Sequence, residues 1–398
     1  MQRFSISVPE HVLDDLRERL SHIRWPADIA NDDWAYGVNR AYLEELVSYW
    51  RHKFDWRVQE AQMNVYEHYR ATIDDVPIHF MYARGKGSSR RPLIMTHGWP
   101  WTFWDYYKVV PRLTDPAAFG GDAADAFDVI VPSLPGYGFS TPLGKPGVDF
   151  TTTADIWVKL MRDTLGFDKF VAYGSDWGTF VTTQLGHKYP QFLAGIHLSL
   201  MMPMDFLTEG KLPPESDYDP DELQSFLQTI STAKSRSAHL AVNSNEPQTI
   251  SYALHDSPVG LCAWLLQRRK SWSDNNGNVE SVFSKDELLT NVMLYWVTES
   301  YVSSARLYYE AAHRPWRPAH LAMPAVTVPT GVTIGAKEVY IAPKKWAQKY
   351  YNLSSLKIIP GGHYLPMESP EGVATGIQEF CRTLDPRRWG DNSRSCLM

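Results

Sequence analysis

Residues 170–189 read FVAYGSDWGTFVTTQLGHKY. A short apolar run, 170–173, passes through Gly174-Ser175-Asp176-Trp177-Gly178 directly into a helical stretch. A side chain presented on so sharp a strand-to-helix turn needs small residues two positions before it and two after it. Gly174 and Gly178 meet that need for Asp176. For Ser175 the flanking positions are Tyr173 and Trp177, which are too bulky, so the turn presents an aspartate rather than a serine. The pentapeptide also fits an ordinary turn in which Asp176 caps the helix. The choice therefore depends on what lies around it.

Working outward, further strand-to-helix units appear on both sides. Residues 93–95 run into Thr96-His97-Gly98-Trp99-Pro100, 127–131 into PSLPGYGFS at 132–140, and 194–198 form another apolar strand. The rhythm breaks over 203–320, which is polar and then helical (286–313), and it returns with 325–328 and 356–359. Short buried strands alternating with helices imply an α/β fold, a mostly parallel sheet with helices on both faces. The N-terminal part reads as amphipathic helices over 9–25 and 41–54 followed by a strand over 76–82. The division expected is an N-terminal extension (1–85) packing on the core, a core in two parts (86–202 and 321–398), and an inserted, mainly helical cap (203–320).

The catalytic parts of an α/β hydrolase follow the chain order nucleophile, acid, histidine. His363 sits where the histidine should, past the last strand in Pro360-Gly361-Gly362-His363, on a glycine-rich turn before a Pro-marked helix. Between 311 and 367 the only acidic residue is Glu338, so no other local carboxylate can orient His363. In this fold the oxyanion donors are the N–H after the nucleophile and one from the loop after the third core strand. Those are Trp177 and Trp99. Taken singly, a lone histidine or a Lys337-Glu338 pair is usually structural or solvated. Their order and spacing around Asp176 argue otherwise.

Bulk properties exclude several classes. The chain has 398 residues, 44% hydrophobic and 21% charged, with a formal net charge of −6. No basic stripe marks a nucleic-acid partner. Cys262, Cys381 and Cys396 are too few and scattered for a disulfide framework or zinc site, and fit a reducing compartment. No signal-peptide core and no apolar run near the roughly 18 residues of a membrane span appears. Aromatics make up 13% of the chain; most belong to packing, and a minority suit an apolar pocket.

Together these motifs resemble the epoxide hydrolases of the α/β-hydrolase superfamily, in their microsomal-type branch. The resemblance spans nearly the whole chain: LDDLRERL (13–20), IRWP (23–26), FDWR (54–57), VPIHFMYAR (76–84), HGWP (97–100), GSDWG (174–178), DSPVGLCAWLLQ (256–267), DELLTNVMLYW (286–296) and PGGH (360–363). In this branch the triad acid is often Glu, as at Glu338. Membrane-bound members carry an N-terminal anchor, and its lack here implies a soluble, cytoplasmic, fungal-type member; a homodimer is common for the type. The family also uses two cap residues, commonly tyrosines, to bind and protonate the epoxide oxygen. One maps onto Tyr308 in SSARLYYE, with Tyr309 the rival if the register is off by one. The other falls on His239 in SRSAHLAV, where a His/Tyr pair replaces Tyr/Tyr; Tyr252 lies further along.

The resemblance implies hydrolysis of a small apolar epoxide, aryl or alkyl, to a vicinal diol. Asp176 forms an ester, a His363–Glu338 pair activates water, and no metal or organic cofactor takes part. The role expected is detoxification or aromatic hydrocarbon catabolism. The rivals are a haloalkane dehalogenase-like enzyme, disfavoured by Tyr308 and the N-terminal extension, and a non-catalytic ligand-binding member of the fold, disfavoured by the intact Asp176, Glu338 and His363.

Overall fold

A computed structural model describes residues 1–87 and 91–390, except for the side chains of 234 and 236. Cys396 and the rest of the tail lie outside the described residues. A nine-stranded sheet runs through the centre in the order β1 (Gln2–Phe4), β2 (Glu67–Ile73), β3 (Val76–Ala83), β5 (Asp128–Pro132), β4 (Pro92–Thr96), β6 (Phe170–Gly174), β7 (Leu193–Leu198), β8 (Val326–Gly335), β9 (Tyr351–Ile359). The pairings from β5 to β9 are parallel; β1, β2 and β3 are antiparallel and extend one edge. Every residue of β4, β5, β6 and β7 is buried, as expected of parallel strands covered on both faces. Chain and strand order differ at β4 and β5, so the sheet changes direction beside β4 and β6, and the loops following these two strands converge there.

Several elements differ from the sequence reading. Strands β1 and β2 are additional, and β2 (EHYRATI) alternates only loosely because Arg70 and Tyr69 remain half-buried. Strand β8 extends well beyond 325–328, because Pro329, Thr330 and Gly331 interrupt the apolar run where the pairing with β9 shifts register. The polar stretch after 203 contains a long helix, Leu223–Asn245, whose Ser, Thr and Gln content hides any apolar stripe. The helical reading over 286–313 divides into Lys285–Val297 and Tyr301–Ala312, broken at Glu299, whose φ is 52°.

The elements between β7 and β8 sit over the ends of β4 and β6. Helix Glu10–Ser21 buries Leu13, Leu16 and Leu20 and lies against helix Pro258–Trp272; Arg19 also bonds Asp256 at 2.7 Å. Each fully buried leucine contributes about 1.5–3 kcal/mol. Among the described residues no helix is long and apolar enough to cross a membrane.

Candidate active site

Strand β6 ends at Gly174, paired with Thr96 on one side and Leu198 on the other. Asp176 follows with φ 52° and ψ −124°, a conformation non-glycine residues rarely adopt, and helix Trp177–Lys188 begins at the next residue. Such a backbone costs on the order of 1–3 kcal/mol and persists only where the surroundings impose it. Here the surroundings are tight. A Cβ on Gly174 would collide with the carbonyl of Gly178, and one on Gly178 with the carbonyl of Thr96. The two glycines let the helix start close enough to the sheet for the Asp176 carboxylate to stand above the strand ends.

The loop after β4 meets that carboxylate. The Trp99 N–H donates to Asp176 Oδ1 at 2.7 Å, and a Cβ on Gly98 would strike the same carboxylate. Trp177 opens its helix, where the first N–H groups have no intrahelical acceptor. The Trp99 loop is held from above. Asn291 Nδ2 and Tyr295 Oη donate to the carbonyls of Pro100 and Trp101, both at 2.9 Å. Arg269 and Asp105, each with 4% of its side chain exposed, form an ion pair of 2.5 Å, and Asp105 accepts the Thr102 N–H at 2.7 Å. Such a pair stabilises little by itself, but it orders the loop because removing either partner strands a buried charge.

His363 and Glu338 arrive from the last two strands. Past β8, the N–H of Ala336 bonds the Ile359 carbonyl (2.8 Å) and that of Lys337 bonds Gly361 (2.9 Å), so the loops after β8 and β9 run together. Gly335 permits this contact, since a Cβ there would strike the carbonyls of Gly361 and Gly362. The result is a chain of contacts. His363 Nε2 stands 3.3 Å from Asp176 Oδ2, and His363 Nδ1 stands 2.7 Å from Glu338 Oε1. Glu338 Oε1 also accepts the Val339 N–H at 2.7 Å. Both residues are fully enclosed. Burial opposes charge on His363, but the Glu338 carboxylate and the bond to Asp176 outweigh it and raise its pKa to about 10. The two acidic neighbours thus favour the protonated form of His363.

Tyr308 and His239 face this group from two helices above it. Their rings lie 5.5 Å apart, nearly perpendicular; His239 stacks on Trp99 (5.3 Å, 8°) and Tyr308 stands edge-on to Trp177 (4.7 Å). Burial first, and the Asp176 charge next, push the Tyr308 hydroxyl well above its usual pKa, so it remains a proton donor. The rivals are elsewhere. Tyr309 is 40% exposed and stacks on His313, and Tyr252 is 72% exposed. Asp176, His363, Tyr308 and His239 line one pocket, whose other walls include Phe180, Leu200, Met202, Trp272 and Tyr340. Sequence reasoning missed Trp272. Its ring packs edge-on against both His239 and His363, and its carbonyl accepts the His363 N–H at 2.7 Å. It ends the helix Pro258–Trp272, and no local pattern marks that end as reaching the site.

A strained aspartate elbow, a backbone donor on its carboxylate and a buried His–Glu pair from the following strands define a hydrolase of the α/β-hydrolase fold. Residues 91–370 match the family profile for that fold, and residues 1–106 match the one described as the epoxide hydrolase N terminus. A Stigmatella aurantiaca protein with a provisional epoxide hydrolase name is 41% identical over 383 residues, 96% of this chain and 84% of that protein. Epoxide hydrolase 1 of Oryctolagus cuniculus is 35% identical, covering 95% and 88% of the two chains. The solved structure of Aspergillus niger epoxide hydrolase superposes with a TM-score of 0.82 at 25% identity, covering 96% of each chain. The chain belongs to the epoxide hydrolase family.

Proposed function

We propose that this epoxide hydrolase opens small apolar epoxides through an ester on Asp176. The observation that carries the reading is the contact of the Asp176 carboxylate with both the Trp99 N–H and His363, below Tyr308 and His239. The epoxide oxygen lies against Tyr308 and His239, and Asp176 attacks a ring carbon from the opposite side. The carbon–oxygen bond breaks as the oxygen takes a proton from the donor pair. General-acid assistance of this kind contributes about 10²–10⁴-fold.

Esterification changes the charge around His363. The Asp176 anion and its bond to the imidazolium are two of the causes that raise the His363 pKa, and the ester removes both. Burial then opposes the imidazolium more effectively, and the proton it releases restores the donor pair. Neutral His363, oriented by Glu338, takes a proton from water as the water oxygen bonds to the Asp176 carbonyl carbon. The oxyanion lies against the N–H groups of Trp99 and Trp177; losing one such donor costs about 10²–10³-fold. Collapse expels the diol, which takes that proton from His363. The regenerated Asp176 carboxylic acid then returns its own proton to His363.

The reading treats 203–320 as a cap supplying the donors and Trp272, with 1–85 an N-terminal extension and 86–202 and 321–398 the core. A cytoplasmic location is part of it, supported by the buried free thiols of Cys262 and Cys381. The pocket walls carry mostly aromatic and aliphatic side chains, which favours aryl or alkyl epoxides and a role in detoxification or aromatic hydrocarbon catabolism. The test is diol formation from aryl and alkyl epoxides by the wild type and Asp176→Ala, with one turnover run in ¹⁸O water. The expected results are no diol from the variant, and label in Asp176 rather than in the first diol. Label in the first diol would mean direct attack by water and would overturn the ester.

A further inference from the structure

We infer that Glu368 is a positioning residue that holds His363 in register; this deepens the proposed mechanism and depends on His363 being the base of ester hydrolysis. Glu368 closes the short helix Leu365–Glu368, five residues beyond His363 and just outside the interval that isolates Glu338 as the triad acid. Its carboxylate turns back under the histidine loop. Oε2 accepts the N–H groups of Gly362 (2.8 Å) and Asp274 (2.7 Å), and Oε1 accepts that of Tyr364 (2.9 Å). The N–H of His363 itself goes to the Trp272 carbonyl at 2.7 Å. All three successive N–H groups from 362 to 364 are thus committed. The outer two bond one carboxylate, and the middle one bonds the end of helix Pro258–Trp272.

An ionised carboxylate offers lone pairs on both oxygens for the three donors, and those donors offset part of the burial that pushes the Glu368 pKa up. A glutamine in its place keeps one acceptor oxygen and turns an NH₂ toward an N–H. The loop has no slack to adjust, because a Cβ on Gly362 would press on the backbone of 272–274. Through Asp274 and Trp272 the clamp also ties the end of the cap helix to the histidine loop. Glu368 bonds no reacting atom. It sets the backbone from which the imidazole reaches Asp176 at 3.3 Å and Glu338 at 2.7 Å. A displacement of about 1 Å in such an alignment costs on the order of 10²-fold in rate.

Esterification requires Asp176 and the cap donors, whereas hydrolysis requires His363, so the two steps separate a positioning role from a structural one. The experiment is rapid mixing of the full chain with styrene oxide, acid quench, and intact mass to count ester per chain, for wild type, Glu368→Gln and Glu368→Asp. The ester count also reports the folded fraction of each variant, so Glu368→Asp carries the comparison if Glu368→Gln does not fold. The expected result for Glu368→Gln is ester hydrolysis slowed about 10- to 100-fold, ester formation within about threefold of wild type, and ester accumulating toward one per chain. Glu368→Asp, which keeps the charge, recovers part of that loss. If formation and hydrolysis slow equally, or if only the ester count falls, Glu368 is structural and the inference is overturned. A wild type that makes diol with no ester at any time overturns the mechanism beneath it, and the inference with it.

Discussion

Replacing Glu338 with glutamine isolates the charge of the proposed triad acid. The site suits this substitution because the two carboxylate oxygens have different surroundings. Oε1 accepts from both His363 Nδ1 and the Val339 N–H, each at 2.7 Å, while Oε2 has no hydrogen-bond partner among the described residues. In Glu338→Gln the amide oxygen keeps both of those bonds, and the NH₂ takes the position that bonds nothing. Geometry is preserved and the negative charge is lost. In the proposed mechanism, hydrolysis of the Asp176 ester builds an imidazolium at His363, which is fully buried. Removing one partner of a buried ion pair costs about 3–5 kcal/mol, which is roughly 10²–10⁴-fold in rate. Ester formation needs no charge on Glu338, so its rate constant should hold within about threefold. The assay is stopped-flow tryptophan fluorescence with parallel acid quench, under single-turnover conditions with an aryl epoxide. The expected pattern is normal ester formation followed by slow decay. If hydrolysis falls by less than about tenfold, or if both steps fall together, Glu338 is not the group that stabilises the imidazolium.

Three further outcomes follow from the same geometry. Tyr308→Phe removes a hydroxyl above Asp176 while keeping the ring against Trp177; ester formation should slow about 10²-fold or more with ester hydrolysis unchanged, which quenched-flow intermediates would reveal. Gly178→Ala places a methyl against the Thr96 carbonyl, and it should reduce stability by more than about 3 kcal/mol, measured by urea unfolding, with no compensating gain in activity. The folded His363 pKa is raised from 6.5 to about 10, so its contribution to stability is complete below about pH 6.5 and is lost as pH rises toward 10. Thermal scans should therefore show the difference between wild type and His363→Gln shrinking over that window, and a constant difference would contradict the ion pair.

How far the sequence reaches can be traced residue by residue. Gly174 and Gly178 are legible because the small-residue spacing around a strand-to-helix turn is read directly from the chain, although the carbonyl that crowds Gly178 belongs to Thr96 on the neighbouring strand. The strands β4, β5, β6 and β7 are legible because each is a short apolar run buried on both faces, a property of its own composition. The order Asp176, Glu338, His363 is legible because chain order is read directly. Tyr308 and His239 come from the resemblance, since no local pattern separates Tyr308 from Tyr309; only the packing of the helix, which turns one ring toward Trp177 and leaves the other against His313, distinguishes them.

By itself, then, the sequence determines the alternation of strands and helices, the aspartate at the elbow and the chemical types available, all of which depend on short-range sterics and periodicity. Only the tertiary structure decides that Trp272 and Glu368 belong to the surroundings of His363, that Arg269, Asn291 and Tyr295 grip the Trp99 loop, and that the loops after β8 and β9 bond to each other. Most of these contacts join residues distant in the chain, through hydrogen bonds to backbone and one buried ion pair, which leave no periodic trace in composition. They depend on burial of the apolar faces, which holds the helices between β7 and β8 against the strand ends.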